Sequence, residues 1–225
     1  METLKKIQAF FVTYIYADHN NSPGVKKALK PLLQYLNDPG KSGLNIGSGN
    51  THLHPNIKNL DIFPGKYVDI VAHAEDIPCE MESFDIIITQ ETLEHVKDPC
   101  KTMNEIKRLL KKGGKVYIQL PFIIGYHPGP TDFWRFTKEG IIELASKNDL
   151  KVLEIGITVG GGSGYYRISV EFFSSLLAII LPFAYKPLKG FFSIVLLPLK
   201  LFDIFFKLSK QKDRIPGGYY IIAQK

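Results

Sequence analysis

The stretch Leu44-Asn45-Ile46-Gly47-Ser48-Gly49 is the part of the sequence from which the fold is best predicted. A short apolar strand over 44–46 is followed at once by two glycines. Glycine lets a backbone turn tightly and approach a ligand without Cβ collisions, and a helix that begins just after such a loop directs free amides at an anionic ligand. A dinucleotide fingerprint needs a third glycine where His52 stands, which disfavours a nicotinamide-dependent oxidoreductase.

The rest of the chain alternates short apolar runs with helical patterns. Several runs are too apolar for half-exposed strands, which predicts a parallel sheet covered by helices on both faces. Gly113-Gly114 predicts the end of the central amphipathic helix. The predicted strands cover 44–46, 59–63, 68–71, 84–89, 116–120, 152–159 and 217–223, and the predicted helices cover 26–36, 98–112 and 137–147.

Two aspartates arrive after successive predicted strands. Asp61 ends the second strand and Asp76 follows the third, so both are expected at the carboxyl ends of the strands, where ligands bind in such sheets. Asp61 is suited to accept both hydroxyl hydrogens of a ribose. Asp76 is suited to receive an adenine amino group while Ile77 packs on the ring. Taken singly, each aspartate is more simply explained as a solvated turn residue.

Further motifs extend this pattern to residues 43 to 160. They are Ala74-Glu75-Asp76-Ile77-Pro78, Phe84-Asp85-Ile86-Ile87-Ile88, Glu94-His95-Val96-Lys97-Asp98-Pro99 and Arg108-Leu109-Leu110-Lys111-Lys112-Gly113-Gly114. As a set, they resemble the class I S-adenosylmethionine-dependent methyltransferases, specifically the branch called methyltransferase type 11. The resemblance implies an α/β fold with a Rossmann-like, seven-stranded, mostly parallel sheet and helices on both faces. Residues 219 to 223 would supply an antiparallel last strand.

The resemblance also implies S-adenosyl-L-methionine as the cofactor and assigns residues to it. The methionine part would be bordered by the glycine loop, the ribose held by Asp61, and the adenine held by Asp76 and Ile77. The family usually has an acidic residue at position 45, and asparagine keeps an acceptor there but loses the charge that favours the cofactor's ammonium group. The implied cofactor-binding residues are Asn45, Gly47, Gly49, Asp61, Asp76, Ile77 and Gln90.

The loop over 121–137 is the predicted acceptor-facing segment. His127 titrates near neutrality and is the candidate base, with Asp132 to orient it or act itself. Arg135 could pair with a carboxylate or phosphate, and Tyr126 and Trp134 offer faces for a sugar or an aromatic ring. The alternative is that the aromatic residues cap the core while Asp132 and Arg135 form a structural ion pair.

Two points complete the predicted chemistry. His95, in the Glu94-His95 pair, is a candidate substrate contact, although a pair that merely supports the loop is an equally open explanation. Methyl transfer from a sulfonium mainly requires alignment, which can supply about 7–11 kcal/mol. No ligand cluster is visible in the sequence, and we predict no metal.

The stretch 165–214 is apolar and basic. Its uncharged runs, 172–185 and 190–199, are shorter than the ~20 residues of a spanning helix and are interrupted by prolines. Lysines between and after them favour helices that lie in the interface of an anionic membrane. The alternatives are a helical subdomain packed on the main domain or on a second subunit, and a re-entrant or spanning hairpin.

These observations predict three regions in a chain of 225 residues with a net charge of +6. They are an N-terminal helical segment (1–42, with a helix over Ile7 to Tyr16 rather than a signal peptide), the cofactor-binding domain (43–164 and 215–225) and the apolar insertion (165–214). With two cysteines, Cys79 and Cys100, and no disulfide framework, a cytoplasmic setting is expected.

The predicted function is O-methylation of a glycan, lipid or quinone-like acceptor, with peripheral attachment to the cytoplasmic face of a membrane and no nucleic-acid partner. One alternative is a soluble small-molecule methyltransferase whose insertion is a lid or a homodimer contact. A second is a non-catalytic domain that binds S-adenosylmethionine without turnover, for which Asn45 is the best argument.

Overall fold

The computed structural model describes residues 19–225, and the helix predicted over residues 7–16 lies outside this range. The described chain divides into two compact units. The first contains residues 24–121, 126–156 and 219–225, and the second contains residues 19–23, 122–125 and 157–218. Each unit therefore gathers segments that are far apart in the sequence.

The first unit is built on a seven-stranded sheet. Its order is β3-β2-β1-β4-β5-β7-β6, and β1 to β5 pair in parallel wherever they are neighbours. The strands are β1 (Gly43–Ile46), β2 (Ile57–Asp61), β3 (Ile70–Val71), β4 (Phe84–Gln90), β5 (Leu110–Pro121), β6 (Lys151–Ile157) and β7 (Gly218–Gln224). This is the predicted Rossmann-like α/β class.

The last strand, β7, runs antiparallel to β5. The amide of Lys225 donates to the carbonyl of Gly114 near the start of β5, whereas the amide of Phe122, just after β5, donates to the carbonyl of Gly217. The partner number falls as the strand number rises, which defines an antiparallel pair. The number of strands and this reversal agree with the sheet that the family resemblance implied.

Helices cover both faces of the sheet. The helices of this unit are α1 (Pro23–Tyr35, whose first residue belongs to the second unit), α2 (Pro99–Leu109) and α3 (Lys138–Lys147). Along β4 the side chains alternate between faces, as they must in a strand. Ile87 packs in the apolar cluster that contains residues of α2 and α3, while Ile86 and Ile88 pack in the cluster that contains residues of α1.

The prediction that the central helix runs to residue 112 is wrong. Helix α2 ends at Leu109, because Leu110 takes an extended conformation and pairs with Phe84 of β4 as a fully buried strand residue. Gly113, the expected helix terminator, has a φ of +75° and lies inside β5, where the register with β4 shifts. Burial of Leu110 in the sheet thus outweighs the helical periodicity.

The second unit is helical. It contains α4 (Gly161–Ala178), α5 (Tyr185–Val195) and α6 (Asp203–Phe206), with short 3-10 helices at His19–Asn21, Pro182–Ala184 and Leu197–Phe202. Asp203 accepts hydrogen bonds from the amide of Ser163 at 3.1 Å and from its hydroxyl at 2.6 Å, and Tyr166 donates to the carbonyl of Ser193. Over residues 19–225, no helix has both the length and the apolar character needed to cross a bilayer.

The turn after β1 depends on Gly47. Its φ is +69°, a region that side chains disfavour, and a Cβ atom there would lie 2.1 Å from Oγ1 and 2.8 Å from Cβ of Thr92. The Thr92 hydroxyl donates to the carbonyl of Ile46 at 3.1 Å, so this threonine is itself held against the turn. The positive φ of Gly49 is +53°, but a Cβ at Gly49 would meet nothing within 4 Å.

Replacing each of these two glycines by alanine should separate the stability cost of a positive φ from the cost of a clash with Thr92. We expect Gly47→Ala to lower the free energy of unfolding by about 3 kcal/mol, combining about 1–2 kcal/mol for the left-handed backbone with a steric clash. Gly49→Ala should cost only the backbone part, about 1 kcal/mol. Urea denaturation of both variants measures the difference, and equal losses would contradict the close approach.

Candidate active site

A cavity of about 430 Å³ lies at the carboxyl ends of β1, β2 and β4. Gly47 after β1, Asp61 at the end of β2, and Glu91 and Thr92 after β4 all border it. The remaining wall comes from residues beside Asp61 (60, 62 and 63), from residues 73–75, from residues 95–97, and from residues 129–131 and 133. Ligands of open α/β sheets bind at this edge, so the cavity is the candidate cofactor site.

Asp61 organises the glycine loop. One carboxylate oxygen accepts from the amide of Gly49 at 2.8 Å, and the other accepts from the amide of Phe63 at 3.0 Å. Each oxygen has two acceptor positions, so the carboxylate keeps capacity for two further donors on the cavity side. Asp61 therefore stands where the resemblance placed a ribose contact, with Gly47 beside it.

The predicted adenine contacts divide between surface and core. The side chain of Asp76 is exposed and is not among the residues that border the cavity, and Ile77 is buried in the core cluster next to α2 and α3. Glu75, one residue earlier, does border the cavity. Its carboxylate also accepts from the amide of Asp98 at 2.8 Å, at the start of α2.

Two other predicted cofactor residues are engaged inside the sheet. The side chain of Asn45 is buried, and its Nδ2 donates to Oδ1 of Asn59 on the neighbouring strand at 3.2 Å. The side-chain Nε2 of Gln90 donates to Oε1 of Gln119 at 3.2 Å, and the same oxygen also accepts from the hydroxyl of Tyr117. Neither Asn45 nor Gln90 borders the cavity, so their side chains serve interstrand hydrogen bonds in this structure.

Glu94, which had no predicted chemical role, is the most deeply buried acid of this region. Its side chain is 0% exposed, and over residues 19–225 neither carboxylate oxygen accepts a hydrogen bond. Burial raises the pKa of the Glu94 carboxyl, an effect that neighbouring His127 partly opposes. Its Oε1 lies 3.7 Å from Nε2 of His95 and 3.6 Å from Nε2 of His127.

Glu94, His95 and His127 thus form a cluster that the sequence analysis did not expect. Their candidate ligand atoms all lie within 4.8 Å of one another, and the two imidazole rings meet edge to face with centroids 5.2 Å apart. His95 borders the cavity, whereas Glu94 and His127 do not. The signal that could have revealed the cluster is the acid-histidine pair directly after a strand that ends at the ligand-binding edge.

Asp132 and Arg135 form a bidentate ion pair beside His127. The two carboxylate-guanidinium distances are 2.6 and 2.7 Å, and the amide of His127 donates to Asp132 at 2.9 Å. Burial raises the pKa of Asp132, but the hydrogen bonds from Arg135 and from the His127 amide outweigh it and lower that pKa to about 2. A carboxylate held in this way is suited to orient His127 rather than to accept a proton.

The loop that carries these residues is attached to the turn of residues 94–96. The carbonyl of Glu94 accepts from the amides of Phe133 and Trp134, and the indole nitrogen of Trp134 donates to the carbonyl of Val96. Nδ1 of His95 hydrogen-bonds the carbonyl of Thr131. Trp134 thereby has a structural partner, while Tyr126, 76% exposed, does not border the cavity.

Part of the chain resembles known methyltransferases in sequence, and the described fold resembles theirs. Residues 44–118 match the family model described as "Methyltransferase domain". A phosphoethanolamine N-methyltransferase of Haemonchus contortus, solved with phosphomonomethylethanolamine and S-adenosylhomocysteine, has 18% identity and a TM-score of 0.55, over 97% of this chain and 57% of that one. A 1,6-didemethyltoxoflavin-N1-methyltransferase of Burkholderia thailandensis has 12% identity and a TM-score of 0.54, over 100% and 89%.

A shorter sequence match extends this comparison. An uncharacterised protein of Methanocaldococcus jannaschii is 43% identical over 49 residues, which are 22% of this chain and 24% of that protein. The chain therefore spans about a quarter of that relative and little more than half of the Haemonchus enzyme.

The sheet topology is that of the Rossmann-like methyltransferase fold, so the predicted fold is confirmed. The predicted family and enzyme class agree with the family model that matches residues 44–118, about a third of the chain. Both similar structures were solved with S-adenosylhomocysteine, the demethylated form of the predicted cofactor.

The ion pair gives a pH-dependent prediction. Because folding lowers the pKa of Asp132 from 3.8 to about 2, its ionised form stabilises the fold above about pH 4, and this contribution is lost as the pH falls towards 2. The stability gap between wild type and Asp132→Asn should therefore narrow by about 2 kcal/mol over that window. Urea titrations at several pH values measure it, with Asp38→Asn, an exposed acid, as the control. A constant gap would contradict the strength assigned to this pair.

Proposed function

We propose that the protein transfers the methyl group of S-adenosylmethionine to an oxygen of a lipid, lipid-linked glycan or quinone-like acceptor. The acceptor oxygen forms a bond to the methyl carbon as the carbon-sulfur bond breaks, which leaves S-adenosylhomocysteine and releases the hydroxyl proton. The observation that carries the proposal is the joint placement of Gly47 and Asp61 around one cavity at the ligand-binding edge of a methyltransferase domain.

The cofactor side of the cavity is built by backbone and carboxylate. The absence of a side chain at Gly47 leaves room for the methionine part, and Asp61, already fixed by the amide of Gly49, offers its free acceptor positions to the ribose. Glu75, which borders the cavity, is the acid that we propose lies beside the adenine. Both similar structures were solved with S-adenosylhomocysteine bound, which supports this use of the fold.

The acceptor side is proposed at the edge where His95 borders the cavity. An oxygen acceptor must lose a proton, and the cluster of Glu94, His95 and His127 contains the groups that can take it. Asp132 holds His127 from behind. His127, predicted as the base, does not border the cavity, whereas His95 does, so His95 is the histidine that an acceptor in the cavity would meet.

Substitution of the two aspartates tests the cofactor site. Asp61→Ala should weaken S-adenosylmethionine binding by more than about tenfold, since hydrogen bonds to a charged group are worth about 1.5–3 kcal/mol. Asp76→Ala should change the affinity by less than about threefold, because its side chain is exposed and outside the cavity. Calorimetric titration measures both dissociation constants. Equal affinity of Asp61→Ala and wild type would remove the ribose assignment.

We further propose that the helical unit attaches to an anionic membrane surface. Its large apolar side chains are exposed to an unusual extent, with Ile180 79%, Phe183 83% and Leu208 85% accessible. The exposed cations of the same unit are Lys186, Lys207, Lys210, Lys212 and Arg214. Apolar side chains next to cations match an interface in which acyl chains lie beneath anionic headgroups.

The acids of residues 157–218 offer little to oppose this charge. They are Glu171, Asp203 and Asp213. Glu171 is paired with Lys189, and Asp203 accepts from the amide and hydroxyl of Ser163. A negatively charged surface would thus meet a net positive one. A lipid or lipid-linked acceptor would be presented at the same surface, which is why the proposal names that acceptor class.

Vesicle flotation tests the membrane proposal. Wild type should float with phosphatidylcholine vesicles that contain phosphatidylserine, less with phosphatidylcholine alone, and less at high salt. The double variant Ile180→Glu with Phe183→Glu should lose flotation. Met81→Glu, which places the same charge at an exposed apolar position of the sheet unit, should not.

The outcomes separate membrane attachment from self-association. Undiminished flotation of the double variant would contradict the membrane proposal. If light scattering shows that wild type is a dimer and the double variant a monomer, with no flotation of either, the apolar side chains form a contact between subunits and the enzyme is of the soluble type.

A further inference from the structure

We propose that Glu94, His95 and His127 bind a divalent first-row transition metal ion such as Zn²⁺. Two imidazoles and one carboxylate form a ligand set that such ions accept. The three candidate ligand atoms lie within 4.8 Å of one another. Metal binding by this cluster does not depend on the proposed function, whereas its effect on an acceptor does.

The hydrogen bond at Nδ1 of His95 selects the tautomer whose Nε2 can bind a metal ion. Nδ1 of His95 faces the carbonyl of Thr131, which can only accept, so Nδ1 carries the proton. In the neutral ring, Nε2 then has a free lone pair and points at Oε1 of Glu94, 3.7 Å away. Histidines that bind metals commonly donate their other N–H to such a partner, which fixes tautomer and orientation.

His127 also faces Glu94, with its Nε2 3.6 Å from the same Oε1. Its Nδ1 accepts a hydrogen bond from Nη2 of Arg135 at 3.3 Å and lies 3.5 Å from a carboxylate oxygen of Asp132. The bond from Arg135 leaves the proton of the neutral ring on Nε2, so metal binding requires that proton to move to Nδ1, where Asp132 can accept it. Asp132 and Arg135 neutralise each other as an ion pair, so the charge left facing the two Nε2 atoms is that of Glu94.

The distances at Glu94 fit an ion better than direct hydrogen bonds. In a tetrahedral zinc site with bonds of about 2.0–2.1 Å, neighbouring ligand atoms are about 3.3 Å apart. The separations of 3.6 and 3.7 Å are close to that value and exceed hydrogen-bond length. The Glu94 side chain is 0% exposed and meets no hydrogen-bond donor among residues 19–225, so burial of its charge costs free energy. A cation bound by Glu94 and both imidazole rings would offset that cost.

An ion bound to His95 would lie next to the cavity, because His95 borders the cavity. If the proposed methyl transfer is correct, a metal at this edge would bind the acceptor oxygen and lower its pKa, the function expected of a Lewis acid beside a hydroxyl. His127 would then hold the ion rather than carry the proton.

The competing explanation is a purely hydrogen-bonded cluster. Arg135 would donate to Nδ1 of His127, and Nε2–H of His127 would donate to Glu94 after a small movement. In that case both rings serve as structural supports of the buried acid, and no metal is bound. The two explanations differ in what the purified protein does with added Zn²⁺.

The experiment uses the full chain without a histidine tag, treated with EDTA and dialysed. Calorimetric titration with Zn²⁺ should show about one ion per chain, and Co²⁺ should give the visible absorption of a nitrogen-oxygen site. His95→Ala and His127→Ala should each weaken Zn²⁺ binding by more than about tenfold. His52→Ala, an exposed histidine outside the cluster, should bind as wild type does.

Two further variants control for loss of the fold and distinguish failure of the metal proposal from failure of the proposed methyl transfer. Glu94→Gln keeps the shape of the side chain, and a thermal shift with Zn²⁺ in wild type but not in this variant supports the site. Asp61→Ala should lose S-adenosylmethionine affinity and keep Zn²⁺ affinity. Absence of Zn²⁺ binding by wild type, or equal binding by wild type, Glu94→Gln and both histidine variants, overturns the proposal.

Discussion

The close approach of Gly47 to Thr92 is the contact on which the site depends. The strands β1 and β4 are parallel neighbours, and this contact joins the turn after β1 to the turn after β4. The two turns are so close that a side chain at position 47 would clash with Thr92. The threonine hydroxyl, bonded to the carbonyl of Ile46, fixes this junction. Because both turns end at the same edge, the junction forms the floor of the cavity, and the amide of Gly49 is brought to Asp61.

Much of the sheet follows from local sequence. Runs such as Phe84 to Thr89 combine β-branched residues with burial on both faces, and they become strands close to their predicted limits. The C-terminal end of helix α2 could not be predicted in this way. Leu110 continues the helical pattern, but its place opposite Phe84 depends on the neighbouring strand, which local periodicity does not describe.

The site was predictable to the extent that strand ends define it. Gly47, Asp61 and His95 follow strands β1, β2 and β4 and border one cavity. Asp76 follows a strand as well, but β3 contains only two residues, and the direction of a side chain in the irregular segment after it depends on local turns. The meeting of His127 with Glu94 depends on the path of a long loop, for which the sequence has no periodic signal.

The attachment of that loop has an evolutionary consequence. The carbonyls of Glu94 and Val96 and the backbone amides of Phe133 and Trp134 supply much of it, together with the indole nitrogen of Trp134. Main-chain groups persist when side chains mutate. A side chain such as that of Phe133, which borders the cavity, can therefore change while the imidazole of His95 keeps its position, so the shape of the cavity can be altered without rebuilding the histidine cluster.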